Sequence, residues 1–395
     1  MTRVRFIAPP SGGLLITGAR VALANHAFAK NRRGTFVLRA AADDDRTLSE
    51  LSWLGVEWNE IGKSGDYAGA IQHLKDTGRL YPCFESEVEL RAKREFRIKR
   101  GRPATYDRAM LKLTPEQRAS AEAGGKQPYW RFRLSNRLLN WNDMISGRRE
   151  AKLPMVSDPV LVTADGAPTT ALTSVIDDVS DSVTHVIRAD EGDGTTGIYL
   201  DLLEAFGENP DQLVFGHLPV LGDTGRLAVR ALRADGIEAE GLSRWIGAGG
   251  RFSARQFARN PDAAMLPSIN REVLARRDFA DVADRLPAGA TEPFWLAIRG
   301  HVDLLNEARH WWDVVNGAVF PPIPTGSGAL IQAARAALPP EPWDPGTWAA
   351  WRANLPPGSD DTLRLLLTGE EQGPELASLL PLISRFRVLE RLRGA

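Results

Sequence analysis

Residues 5–20, Arg-Phe-Ile-Ala-Pro-Pro-Ser-Gly-Gly-Leu-Leu-Ile-Thr-Gly-Ala-Arg, constrain this chain more than any other stretch. An apolar run through Phe6 and Ile7 reads as a short strand, and a Pro/Gly turn follows it. A helix is expected from near Ala19. Glycines in such a turn let backbone approach a phosphate, and the helix N-terminus offers free N–H groups at the positive end of its dipole. The pattern then repeats. Gly34–Arg39 reads as a second strand, and a helical segment ends at Trp53-Leu54-Gly55-Val56-Glu57-Trp58. Strand–helix–strand order predicts a parallel sheet with crossover helices, hence an α/β, Rossmann-like body. A further helix is expected over Tyr67–Gly78, with Gly78 as its C-cap.

The rhythm breaks between about residues 85 and 160. A charged helix (Glu85–Arg100), a turn at Gly101-Arg102-Pro103 and a strand at Tyr129–Leu134 read as an inserted α+β region. The βα alternation is expected to resume at Pro159–Val162 and His185–Arg188, with a helix over Gly197–Phe206. Beyond about residue 235 the chain reads as helical, through Ser253–Arg259, Leu266–Arg276 and Glu292–Asn306. The prolines of residues 321–324 mark an expected boundary. Trp348 and Trp351 share a short helix, followed by Thr362–Leu367 and Pro374–Leu382. The expected division is 1–235 for the nucleotide-binding domain, 236–322 for a helical stem and 323–395 for a shortened helical domain. A chain of 395 residues has the length for this.

Composition narrows the class. Hydrophobic content of 43% and charged content of 25% are ordinary for a globular protein. With 49 basic and 50 acidic residues the net charge is −1, which gives no support for a wholly basic, nucleic-acid-coating surface. The single cysteine, Cys83, excludes a disulfide framework and a cysteine-rich zinc site, and no bound metal is expected. The charged start, Thr2-Arg3-Val4-Arg5-Phe6, lacks a signal-peptide core. No run reaches the roughly 20 apolar residues of a membrane span. The cytoplasm is the expected location, without membrane association.

Several segments carry a resemblance in order and spacing. They are the opening stretch, Trp53–Trp58, Gly101–Asp107, Trp141–Gly147, Asp165–Thr169, Val175–Asp178, Thr184–Arg188, and Leu367-Thr368-Gly369 with Gly373-Pro374-Glu375-Leu376. The whole chain resembles the glutamyl-tRNA synthetases, a class I aminoacyl-tRNA synthetase family. The resemblance implies a class I catalytic fold, ATP with Mg²⁺ wherever nucleotide chemistry is kept, glutamate or another carboxylate-bearing amino acid, tRNA, and an anticodon-binding-like C-terminal region.

Against that family the two catalytic signatures are degenerate. The HIGH segment falls on Leu15, Ile16, Thr17 and Gly18, so leucine stands at the histidine position and threonine at a glycine. The KMSKS segment falls on Arg226, Leu227, Ala228, Val229 and Arg230, with Ala228 at the serine and Val229 at the second lysine. Leucine and valine donate no hydrogen bond. Adenylate formation builds charge on phosphate, and one lost donor costs about 3–4 kcal/mol of transition-state stabilisation. The resemblance therefore supplies no intact catalytic residue. It assigns substrate binding to Arg5, Ser11, Thr170 and Arg188, and nucleotide binding to Gly12, Gly18, Arg226 and Arg230. The family's ammonium-binding carboxylate falls on Ala42 or Ala41.

Each of these residues also has a plainer role. Arg5 and Arg188 fit as structural ion-pair partners of Asp177 or Asp178. His185 and His217 lie beside strand-like apolar runs and fit as satisfied core or edge histidines. Asp43–Asp45 fits a solvated loop, and Arg91 to Arg102 a solvated basic helix face. The eleven tryptophans read mainly as core. The leading expectation is a glutamyl-tRNA-synthetase-like protein without normal tRNA glutamylation, a pseudoenzyme or repurposed paralogue that keeps an amino-acid or nucleotide site and serves an unknown protein partner. Two alternatives stay open, a functional glutamate–tRNA ligase and a tRNA-binding or scaffold protein.

Overall fold

The computed structural model of the protein describes residues 1–9, 13–41, 44–321 and 323–393. Its first elements alternate as the pattern predicts. They are β1 (Arg3–Ile7), α1 (Ile16–Arg32), β2 (Thr35–Arg39), α2 (Asp45–Trp53), β3 (Glu60–Ile61) and α3 (Tyr67–Asp76). Strands β1, β2 and β3 pair in parallel, with Arg5 opposite Val37 and Leu38 opposite Ile61. Val4, Phe36, Val37 and Leu38 are buried, as the continuous apolar runs of a two-face-covered parallel sheet require. Helix α1 starts at Ile16 rather than near Ala19. Leu15 is its N-cap and Gly18 lies in its first turn, so the glycine belongs to the helix and not to the turn before it. Gly78 takes the left-handed conformation just past the Thr77 cap of α3, where a side chain would be strained.

The inserted region follows. It comprises β4 (Leu80–Cys83), α4 (Glu87–Lys99), α5 (Pro115–Ala123), β5 (Tyr129–Phe132), β6 (Leu138–Asp143), β7 (Gly147–Lys152) and β8 (Val160–Val162). Capping boxes start both helices, Ser86 with Glu89 and Thr114 with Gln117. Neither α4 nor α5 buries a residue, which fits the solvated reading of the basic α4. Strands β4, β5 and β8 form an antiparallel sheet, so Val160–Val162 closes the insertion instead of resuming the parallel sheet. The apolar run Val-Leu-Val suits either pairing. The partner strand β5, not the run itself, decides.

The alternation returns with α6 (Thr170–Ser180), β9 (His185–Ala189), α7 (Asp193–Ala205) and β10 (Val214–Leu218). Strands β9 and β10 are parallel, with Arg188 opposite His217. Thr184 N–H donates to the Arg3 carbonyl at 3.0 Å, which brings β9 alongside β1. The β6–β7 hairpin packs on β10, where His217 N–H donates to the Asp143 carboxylate.

The chain divides into two compact units. One holds residues 1–229 and 246–260, and the other 230–245 and 261–395. The first unit runs to Val229, and residues 246–260 return to it. Arg20 on α1 holds them there, donating to the carbonyls of Phe257 at 2.8 Å and Arg259 at 2.6 Å. In the second unit, helices Ala308–Asn316 and Gly328–Ala337 lie on either side of Pro321 and Pro324. Both feed one apolar core through Val314, Val315, Ile331 and Ala334. Trp295 and Trp351 are fully buried in it, and their indoles donate to the carbonyls of Arg277 and Ala334. Among the described residues, no helix is long and apolar enough to cross a membrane.

Candidate amino-acid site

The C-terminal ends of β1 and β9, the first turn of α1 and the face of α6 line a cavity of about 580 Å³. This is where parallel α/β sheets place their ligands. Its walls include Arg5, Thr17, Gly18, Thr170, Arg188 and Tyr199, with Ile7, Leu15, Val21 and Ile198 as hydrocarbon.

Arg5 belongs to a closed ion network. Its Nε donates to Asp178 Oδ1 at 3.1 Å, as the ion-pair reading expects. Asp178 also accepts from Arg39 Nη1 at 2.6 Å and from the Tyr199 hydroxyl at 2.7 Å. Arg39 goes on to Asp181 at 2.6 Å. Burial opposes ionisation of Asp178, and Arg5 and Arg39 overcome it, so its carboxyl sits below the usual carboxylate range. The neighbouring Asp177 accepts from Gly65 N–H and the Tyr67 hydroxyl and holds no arginine.

Arg188 differs. No carboxylate pairs with it among the described residues. Its Nη2 donates to Thr196 Oγ1 at 2.9 Å, and its Nε approaches His217 Nε2 at 3.5 Å. Removal from water lowers its pKa from the usual arginine value. A partly desolvated guanidinium with a free edge in a cavity is poised for a carboxylate, which it can grip bidentately.

The two signature segments meet on the other side of the cavity. Leu15 and Ala228 form an antiparallel bridge. Ile16 N–H donates to the Leu227 carbonyl, and Val229 N–H to the Leu14 carbonyl, both at 2.9 Å. Thr17 Oγ1 donates to the Gly225 carbonyl at 3.1 Å. Side chains add little polarity. Leu15 is 46% exposed and lines the cavity, while Val229 is fully buried. A Cβ on Gly18 would meet only ordinary contacts, so packing does not demand this glycine. Arg226 is exposed and outside the cavity lining, and Arg230 falls in the second unit. Ser11, Gly12 and Ala42 lie outside the described residues.

Sequence reasoning missed three features. Arg39 and Asp181 complete the Asp178 network. Glu50 on α2, only 5% exposed, accepts from Leu14 N–H ahead of α1. Gly13 has φ +97°, and a Cβ there would meet Glu50 Oε2 at 2.8 Å, so the turn needs glycine. The third is the Asp143–His217 pair described below. The one advance signal was the Asp-x-x-x-Gly turn at Asp143–Gly147.

Residues 1–225 match the family described as tRNA synthetases class I (E and Q), catalytic domain. A glutamate–tRNA ligase 2 of Gluconacetobacter diazotrophicus is 43% identical, over 100% of this chain and 99% of that protein. This chain belongs to the glutamyl-tRNA synthetase family. A second such ligase, from Granulibacter bethesdensis, is 44% identical over 99% of this chain and 98% of its own length. The solved glutamate-tRNA synthetase of Elizabethkingia anophelis aligns with a TM-score of 0.76 at 20% identity, covering 99% of this chain and 98% of that one. That match establishes the shared synthetase fold.

Proposed function

We propose that this chain is a glutamate–tRNA ligase-type protein whose cavity captures the carboxylate of glutamate, or of an acid of its size, on Arg188. The observation that carries the reading is the guanidinium of Arg188, which lines the cavity with no ion-pair partner among the described residues while Arg5 and Arg39 are already paired. The names of relatives at 43–44% identity over the full length support ligation to tRNA as the outcome. A related solved structure is described as a glutamate tRNA ligase in complex with its amino acid. On this reading tRNA is the second substrate and ATP the third, with Arg226 and Arg230 supplying charge to the triphosphate. The helical residues 236–395 take the place of the family's stem and anticodon-binding region.

A second reading is favoured by the apolar signatures. With Leu15 at the helix N-cap and Val229 buried, no side chain of the bridge donates to a phosphate. The protein then holds the amino acid without activating it.

One experiment separates these readings. Glutamate binding is measured by calorimetry, and ATP–pyrophosphate exchange is followed with and without tRNA, in wild type and Arg188→Ala. The ligase reading expects glutamate-dependent exchange, lowered about 30-fold by Arg188→Ala, the equivalent of about 2 kcal/mol for a lost charge-assisted contact. Binding without exchange supports the second reading. Absence of glutamate binding in the wild type overturns the carboxylate assignment itself.

A further inference from the structure

Arg188 lines the cavity with no carboxylate ion-paired to it among the described residues, yet a directed chain of hydrogen bonds leads from it to one. Arg188 Nη2 reaches Thr196 Oγ1 at 2.9 Å, Thr196 Oγ1 meets His217 Nε2 at 2.9 Å, and His217 Nδ1 meets Asp143 Oδ2 at 2.5 Å. Thr196, His217 and Asp143 are all buried, at 0%, 2% and 5% exposure. They come from three separate elements, α7, β10 and the end of β6. Parallel pairing sets His217 directly opposite Arg188, which brings Nε2 to 3.5 Å from Arg188 Nε.

The direction of the chain follows from Asp143. Its carboxylate accepts from the backbone N–H groups of Ile145, Ser146 and His217 at 2.8–3.1 Å, as well as from the imidazole. Burial works against its ionisation, but these donors overcome it and keep the carboxyl well below the usual range. An ionised carboxylate only accepts, so a proton sits on His217 Nδ1, and the Arg188 Nε–H directed at Nε2 calls for a lone pair there. That lone pair takes the Thr196 hydroxyl hydrogen, which frees the threonine oxygen to accept from Arg188. Every donor points toward Asp143, and the guanidinium keeps its other edge for a ligand.

We propose that Asp143 and His217 are positioning residues. By locking one imidazole tautomer, they hold Arg188, through Thr196, in the orientation that captures a ligand carboxylate. This rests on the reading that Arg188 receives that carboxylate. The mechanism makes a sharp demand on residue type. In Asp143→Asn the amide N–H₂ can donate to Nδ1, which moves the proton to Nε2 and sets it against the Arg188 N–H groups. In His217→Gln the amide oxygen sits where Nε2 was and still accepts. His217→Leu offers neither.

The test uses the full-length protein with L-glutamate as probe, calorimetry for affinity, thermal unfolding as a fold check, and imidazole ¹⁵N NMR for the tautomer. The His217→Gln spectrum assigns the His217 resonances. The expected result is an Nδ1–H tautomer in the wild type and an Nε2–H tautomer in Asp143→Asn. Glutamate affinity should fall about 10–100-fold in Asp143→Asn and His217→Leu, and stay within about 3-fold in His217→Gln, given the strength of a hydrogen bond to a charged group. A folded Asp143→Asn that binds glutamate as the wild type does overturns the proposal. So does an Nε2–H tautomer in the wild type, which would be read even if glutamate does not bind. Failure of the wild type to bind glutamate, with the tautomer as expected, counts against the Arg188 ligand reading and leaves the hydrogen-bonded relay standing.

Discussion

The two sides of the one cavity are built on opposite principles. On the side of β9 and β10, side chains make the structure. Arg5, Arg39, Arg188, Thr196, Tyr199, His217 and three aspartates bond to one another, and only the ligand-facing edge of Arg188 is kept out of the network. On the side of α1 and the Gly222–Arg226 turn, backbone does the joining. Leu14, Ile16, Leu227 and Val229 are linked through their N–H and C=O groups while their side chains are hydrocarbon. A polar network is intolerant of change, because removing one member strands buried charge. A backbone bridge is indifferent to side chains until one must be buried. Selection can therefore alter the signature residues while leaving the fold of that side intact.

The largest test of this contrast is Asp178→Asn. It leaves Arg5 and Arg39 sharing a neutral amide, and a loss of about 3–5 kcal/mol is expected in urea unfolding. The pH dependence should change with it. The folded-state pKa of Asp178 lies below its unfolded value, so its contribution is fully present above about pH 4. That contribution is lost as the pH falls through the folded value. The stability of the wild type should thus drop more steeply than that of Asp178→Asn below about pH 4. Equal slopes would mean that the network carries no net stability.

Val229→Lys comes next. It puts a lysine where the sequence resemblance expects one but places an ammonium in a fully buried site. A destabilisation of about 3 kcal/mol or more is expected by thermal or urea unfolding. A lysine variant as stable as the wild type would show that the bridge opens readily and that the signature could be restored by mutation. The smallest effect belongs to Leu15→His. Leu15 is half exposed, so stability should stay within about 0.5 kcal/mol. A gain in pyrophosphate exchange from this one change would show that the remaining nucleotide site is intact.

Much of this could be read in the chain. Phe6, Phe36–Leu38 and Val186–Ile187 carry apolar runs whose order forces a parallel sheet, and the Arg5–Asp178 pair was among the expected ion pairs. What escaped the sequence was pairing at long range. Val160–Val162 has the same apolar wording whether it joins the parallel sheet or the antiparallel one. Arg39 and Asp181 are separated by 142 positions, and Asp143 and His217 by 74. Such contacts have no local period to betray them. The bridge between Leu15 and Ala228 was invisible for the same reason, since it is made by backbone that every residue shares.

Arg20 links this contrast to the architecture of the gene. Burial brings its pKa down to about 10, so it stays cationic at neutral pH, and it anchors on carbonyls supplied by residues 257 and 259. Linear order and spatial modularity therefore disagree. A fragment cut after the last parallel strand would carry a cation deprived of the Phe257 and Arg259 carbonyls, whereas one that retained the returning loop would keep them. Recombination or truncation within this lineage should respect that loop as part of the N-terminal module, whatever the reading frame suggests.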